Sequence, residues 1–199
     1  KTLEEPPSRT ILILVTSNPY LLLTTIQSRS RLLQFSGIPQ DRIEAHLVQN
    51  AGWSPEDAHL AAALSRGSLG NALAFDAGSF IPVRAQALRF VSLLLSRGSY
   101  AEASRLTAGT VKDKGAFPVW VEAVLTILQD LFYAKTAPER MGQRDILEDL
   151  RTLAGSTSAV AVTSAVRAVD RLRRGLRQNV NRQIALEALF LSETAKPVR

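Results

Sequence analysis

Thr10-Ile11-Leu12-Ile13-Leu14-Val15-Thr16-Ser17-Asn18-Pro19 is the stretch on which the reading of the fold turns. It is apolar at consecutive positions, the pattern of a strand buried on both faces in a parallel sheet covered by helices. Ser17-Asn18-Pro19 ends it with turn chemistry. Before it, Lys1-Thr2-Leu3-Glu4-Glu5-Pro6-Pro7 reads as the last turn of a helix stopped by two prolines, so a helix beginning upstream of Lys1 is expected. After it, a short helix over Tyr20–Gln27 leads through Ser28-Arg29-Ser30-Arg31 to a second short strand, Leu32-Leu33-Gln34-Phe35. Two strands and two helix pieces do not make a sheet of their own. Residues 1–36 therefore read as the C-terminal end of a truncated α/β domain.

The rest is helical in pattern. Asp41–Asn50 places Ile43, Leu47 and Val48 on one face. Ser54-Pro55-Glu56-Asp57 is a strong helix start, with a serine cap, proline at the first position and acids in the first turn. That helix runs to about Leu64, and Ser68 can cap a third over Leu69–Asp76. These helices form a small lid-like bundle, residues 37–80, bounded by Ala77-Gly78-Ser79 and Pro82. Residues 81–199 carry amphipathic stripes over Val83–Ser96, Tyr100–Ala108, Pro118–Lys135, Gln143–Leu153, Ser158–Gln178 and Asn181–Glu193. They include Val121, Val124, Leu128 and Leu131 in one helix and Ile184, Leu186, Leu189 and Phe190 in the last. Such stripes describe helices burying one face in a common bundle. The fold class expected is mainly α.

Composition narrows the chemistry. The 199 residues are 46% hydrophobic but only 6% aromatic, which favours packed helices over a β-sandwich. There is no cysteine and only His46 and His59, so a thiolate or histidine-rich metal site is not expected. Unbroken apolar runs such as Ile11–Val15 are too short to span a bilayer, and a soluble, cytoplasmic chain is expected. The net charge of +6 suits nucleic acid or an ordinary Arg-rich surface.

The run Thr24-Thr25-Ile26-Gln27-Ser28-Arg29 sets an arginine between a helix end and a strand, flanked by small serines. Its guanidinium is always charged and offers a fork of donors matched to phosphate oxygens. Taken in order, Leu-Glu-Glu-Pro-Pro, the apolar strand, Thr16-Ser17-Asn18-Pro19 and Thr25-Ile26-Gln27-Ser28-Arg29 resemble the AAA+ subunits of bacterial DNA polymerase III clamp loaders, gamma/tau and delta-prime. The resemblance is strongest over Lys1–Phe35, fair over Gly37–Asp76 and architectural beyond. It implies that Thr16, Ser17 and Asn18 stand at the sensor-1 position. It implies that Ser28-Arg29-Ser30 is the family's Ser-Arg-Cys motif, with Ser30 in place of cysteine. Arg29 would then be an arginine finger reaching the nucleotide of a neighbouring subunit, with residues 81–199 forming a collar. ATP and Mg would be bound by neighbouring subunits, no cofactor by this chain. Partners would be gamma/tau and delta in a hetero-pentamer, with the sliding clamp and primed DNA met indirectly.

Gly70 falls where ATP-hydrolysing members carry their sensor-2 arginine, which favours delta-prime over the gamma/tau ATPase. No phosphate loop ending in Lys-Ser/Thr is present, so no catalytic site of its own is expected within the polymerase holoenzyme. Arg167, Arg171 and Arg174 share one helix face and read either as a DNA-contacting stripe or as collar or solvated surface. The lack of interleaved aromatics, and Asp170 as a partner for Arg174, favour surface. The rival from another class is a helical adaptor or nucleic-acid module.

Overall fold

The computed structural model describes residues 3, 7–16, 18–176 and 180–195. It divides into two compact units, Lys1–Gly37 and Ile38–Arg199. The fold is mainly α, and the described residues contain no strand. The expected helix end over residues 1–7 falls outside the described residues, apart from Leu3 and Pro7.

The first unit corrects three expectations. Neither residues 10–16 nor Leu32–Phe35 form a strand, because a strand exists only by pairing its N–H and C=O groups with a neighbour. No such partner occurs among the described residues. Exposure nonetheless alternates along the apolar run, with Ile11, Ile13 and Val15 at 87%, 82% and 93% and Leu12 and Leu14 at 46% and 52%. That period of two is a strand's alternation without its ladder. The single helix expected over Tyr20–Gln27 is instead a 3₁₀ turn, Pro19–Leu21, followed by α1, Thr24–Gln27. Leu22 and Leu23 between them take ψ of 149° and 140°, which no helix continues through.

The second unit begins with a small bundle of α2, Gln40–Ala51, α3, Pro55–Leu64, and α4, Leu69–Leu73. Ser54 caps α3, its hydroxyl accepting from the Asp57 N–H at 3.1 Å, and Ser68 caps α4 by accepting from Asn71 N–H at 3.3 Å. The core is Ile43, Leu47, Ala58, Ala61, Ala62 and Ala72, edged by Trp53, Leu69 and Phe75. Val48 is exposed, because it lies 100° around the helix from Leu47.

The larger bundle comprises α5, Ala77–Leu95, α6, Tyr100–Lys112, α7, Ala116–Thr136, α8, Leu147–Gly155, α9, Ala159–Gly175, and α10, Arg182–Thr194. Helix α5 starts six residues before the expected Val83 and runs through the expected boundary at 80/81. Asp76 caps it, accepting from Gly78 N–H at 3.0 Å, and Pro82 lies inside. Two 3₁₀ turns, Pro138–Arg140 and Arg144–Ile146, precede α8, where one helix from Gln143 was expected.

Helix α7 is central and packs on α5, α6, α8 and α9. Its Trp120 meets Phe90 edge-on at 4.9 Å and stacks on Phe117 at 5.7 Å, and Phe190 of α10 joins at 5.9 Å from Phe90. Among the described residues α7 is the one helix long and apolar enough to cross a membrane by length and composition alone, although it holds no unbroken apolar run of that length. More than half of its apolar window is buried against the other helices, as in a core helix. Ile184, expected in the core stripe of α10, is 63% exposed, since it lies 200° from the buried Leu186.

Two buried charges pin the α7–α8 connection. Arg84 of α5 holds Asp145 through both carboxylate oxygens. Asp130 of α7 accepts from the backbone N–H groups of Gly142 and Gln143, each at 3.0 Å, and from Gln143 Nε2 at 3.2 Å. Burial pushes the Asp130 carboxyl up from its ordinary value against those three bonds.

One pentapeptide occurs twice. Leu64-Ser65-Arg66-Gly67-Ser68 ends α3 and Leu95-Ser96-Arg97-Gly98-Ser99 ends α5. In both, the arginine takes the left-handed region, φ 52° at Arg66 and 57° at Arg97.

Candidate functional site

Helix α1 is one turn long, and its end carries the arginine motif. Ser28 N–H donates to Thr24 O at 2.9 Å, Arg29 N–H to Ile26 O at 3.2 Å and Ser30 N–H to Gln27 O at 3.3 Å. Ser28 Oγ donates to Thr25 O at 3.2 Å, and Arg29 Nη1 donates to the same carbonyl at 3.1 Å. Gln27 Nε2 closes the turn from the other side, donating to Leu22 O at 2.7 Å. The three motif residues are exposed, with the guanidinium lying back along its own helix. Small serines on either side leave it no bulky neighbour in sequence. An arginine so carried presents a planar, permanently charged donor set at the surface of its unit.

Thr16 and Asn18 are held together by a local turn, Thr16 Oγ1 accepting from Asn18 N–H at 3.1 Å. Both are exposed, and Ser17 between them lies outside the described residues. Gly70 sits on the exposed side of α4, where an added Cβ would meet nothing within 4 Å. Packing therefore does not require glycine there, and a long side chain would be accommodated.

Arg167, Arg171 and Arg174 lie exposed on one face of α9. Arg174 bonds Asp170 at 2.5 Å, and the neighbouring Arg173 bonds the other oxygen of Asp170 at 2.6 Å. Burial opposes ionisation of Asp170, but the hydrogen bonds and charges of the two arginines hold its carboxyl below the ordinary value. Burial likewise opposes the charge of Arg173, and its bonds to Asp170 and Glu122 outweigh it and raise its pKa. Arg177 lies outside the described residues.

Sequence reasoning found the Asp170–Arg174 pair, four residues apart, and missed what adjoins it. Arg173 Nη1 also reaches Glu122 of α7 at 3.4 Å, and Arg66, beyond the end of α3, reaches the other Glu122 oxygen at 2.7 Å. These partners stand 51 and 56 residues apart, so no local spacing marks them. Of the two histidines, His59 bonds Glu44 through Nδ1 at 2.8 Å and buries Nε2 without a partner. Arg31 and Arg42 are exposed.

The first 39 residues match the family described as DNA polymerase III, delta subunit. Across 195 residues the chain is 27% identical to DNA polymerase III subunit delta' of Bacillus subtilis (strain 168), a match covering 96% of this chain. The chain spans 59% of that relative's length. Over these stretches the chain is similar to delta-prime subunits of DNA polymerase III.

Proposed function

We propose that this chain is the assembly and arginine-finger portion of a delta-prime subunit in a bacterial clamp loader, supporting ATP-driven placement of the sliding clamp on primed DNA. The observation that carries this reading is Ser28-Arg29-Ser30, exposed at the end of α1 and inside the 39 residues that match the family. Set against the nucleotide of a neighbouring gamma/tau subunit, the Arg29 fork stabilises charge developing on the transferred phosphoryl group. ATP and Mg belong to that neighbour. Thr16, Ser17 and Asn18 stand at the sensor-1 position, and the helices from residue 81 onward supply collar contacts to gamma/tau and delta in a cytoplasmic hetero-pentamer. The gamma/tau alternative is disfavoured at Gly70, where there is space for an arginine and no donor.

The test is Arg29→Ala in the full-length protein within a reconstituted loader. DNA-stimulated ATP turnover at the site it serves should fall by on the order of 10³, with assembly unchanged by gel filtration. Arg29→Lys should recover little, because an ammonium lacks the planar fork. Unchanged turnover in Arg29→Ala would sink the assignment. Arg167 and Arg171 meet no carboxylate among the described residues, and a DNA role for them is a separate matter. It would show as weaker DNA binding and a shallower salt dependence in Arg167→Gln/Arg171→Gln.

A further inference from the structure

The net charge of the chain is concentrated in one place. Between Arg167 and Arg182 the sequence holds six arginines and a single acid, Asp170, which is five of the six net positive charges and leaves the remainder nearly neutral. Much of that run lies on α9. The apolar side chains along the middle of α9, Val162, Ala165, Val166, Ala168, Val169 and Leu172, all belong to the large core or pack against it. The face they leave to solvent carries Arg167, Arg171 and Arg174 in a row. Seven residues of helical rise make that row about 10 Å long.

The arginines of the run are not equivalent. Arg182 donates to Val111 O at 3.3 Å and lies over the Phe117 ring, so the fold uses it. Arg173 is bonded to both Glu122 and Asp170. Arg174 shares Asp170 with it, although the Arg174 side chain is 78% exposed. Arg167 and Arg171 meet no carboxylate among the described residues. Like charges four residues apart on a helix repel one another, so this pair does nothing to stabilise α9. An interface with another protein would place apolar groups at its centre and few charges there. This face offers the reverse, and a polyanion is the partner that its charge complements.

We propose that the exposed face of α9 binds the phosphodiester backbone of nucleic acid, with Arg167 and Arg171 as the primary contacts and Arg174 as a third, restrained by Asp170. Guanidinium forks match phosphate oxygens in pairs, and each phosphate neutralised releases condensed counterions. Helix α9 has no aromatic residue on which a base could stack, so the contact is to the backbone and indifferent to sequence. Asp170 sets the strength of the site. It neutralises Arg174 and is itself kept in place by Arg173, which Glu122 of α7 holds from the other side. The site lies in the second unit, and this inference does not depend on the role of Arg29.

The experiment titrates the full-length protein into fluorescently labelled oligo(dT), and into a duplex of the same length, between about 50 and 200 mM salt. Arg167→Gln/Arg171→Gln should weaken binding about tenfold at the low-salt end. It should also flatten the plot of log affinity against log salt by about 1.4 for the single strand or about 1.8 for the duplex, two phosphates lost in each case. Asp170→Asn, which frees Arg174, should tighten binding several-fold and steepen the same plot, a gain that damage to the fold would not produce. Arg140→Gln/Arg144→Gln removes the same charge from exposed positions between α7 and α8 and should leave the affinity close to wild type. A wild type that binds neither nucleic acid would overturn the proposal, as would equal losses in the two double variants. So would poly-glutamate binding as tightly as oligo(dT) with the same loss in Arg167→Gln/Arg171→Gln, because the face would then serve an acidic protein segment.

Discussion

The two Leu-Ser-Arg-Gly-Ser turns share five residues and a helix exit, yet they finish differently. In both, serine is the last residue near helical geometry and arginine turns left-handed, at φ 52° and 57°. After α5, Gly98 N–H donates to Leu93 O at 2.8 Å, the six-to-one bond of a Schellman closure. After α3 the equivalent carbonyl, Ala62 O, is taken by Ser65 Oγ at 2.8 Å. Gly67 turns left-handed as well, at φ 82°, and its own carbonyl accepts from Ile38 N–H at 2.8 Å. The pentapeptide fixes how the helix stops. What the next residues bond to is fixed by tertiary neighbours, and the first turn aims its arginine at Glu122 of α7.

The largest effect that separates the turns is steric. At Gly98 an added Cβ would sit 2.8 Å from Leu93 Cδ2 and 3.3 Å from Leu93 O. Gly98→Ala should therefore cost about 1–3 kcal/mol by overpacking. In the Leu93→Ala background the penalty should shrink, which a urea-melt double-mutant cycle would read directly. At Gly67 the obstacle is backbone conformation. Gly67→Ala should cost about 1–2 kcal/mol from the left-handed region alone, and trimming neighbours should not relieve it. Equal relief in both cycles would mean that the two glycines serve one purpose.

A smaller difference lies in the closing serines. Ser68 accepts from Asn71 N–H, whereas Ser99 makes no side-chain cap bond to α6. Ser68→Ala should lower the thermal midpoint by the equivalent of about 1 kcal/mol, with Ser99→Ala close to neutral. A comparable loss at both positions would show that the α6 start leans on its serine too.

These turns mark how far the sequence carries. Ser54 and Ser68 announced their helices because a cap is a local bond, legible three residues away. The α7 stripe was legible because helical spacing and burial coincide. The sequence places the start of α5 late because Ala77-Gly78-Ser79 and the nearby Pro82 have the composition of a break, while the cap that starts the helix is Asp76 accepting from Gly78 N–H. The strand over residues 10–16 kept its two-faced alternation but found no ladder, since pairing is a property of a neighbour and not of the run itself. At the candidate site, Arg29 and its serines were legible as an ordered motif. Glu122 was not, because its partners Arg66 and Arg173 come from helices far apart in the chain and nothing local distinguishes it from any surface glutamate.

Replacement of Arg66 by glycine should give the smallest effect, and it sharpens the contrast furthest. Two terms oppose one another. Glycine relieves a non-glycine residue held at φ 52°, worth about 1–2 kcal/mol, less about 0.5–1 kcal/mol for the extra freedom glycine brings to the unfolded chain. Against that net gain stands the lost pair with Glu122, about 0.2–1 kcal/mol for charges this exposed. At low salt the terms nearly cancel, and the urea midpoint of Arg66→Gly should stay close to wild type. Salt screens the ion pair and leaves the backbone term untouched. At high salt the variant should therefore become more stable than wild type. Arg66→Gln, which keeps the strain and loses the charge, should fall below wild type at low salt and converge with it as salt rises. If Arg66→Gly were destabilised to the same extent at every ionic strength, the Arg66 side chain would be contributing packing rather than charge.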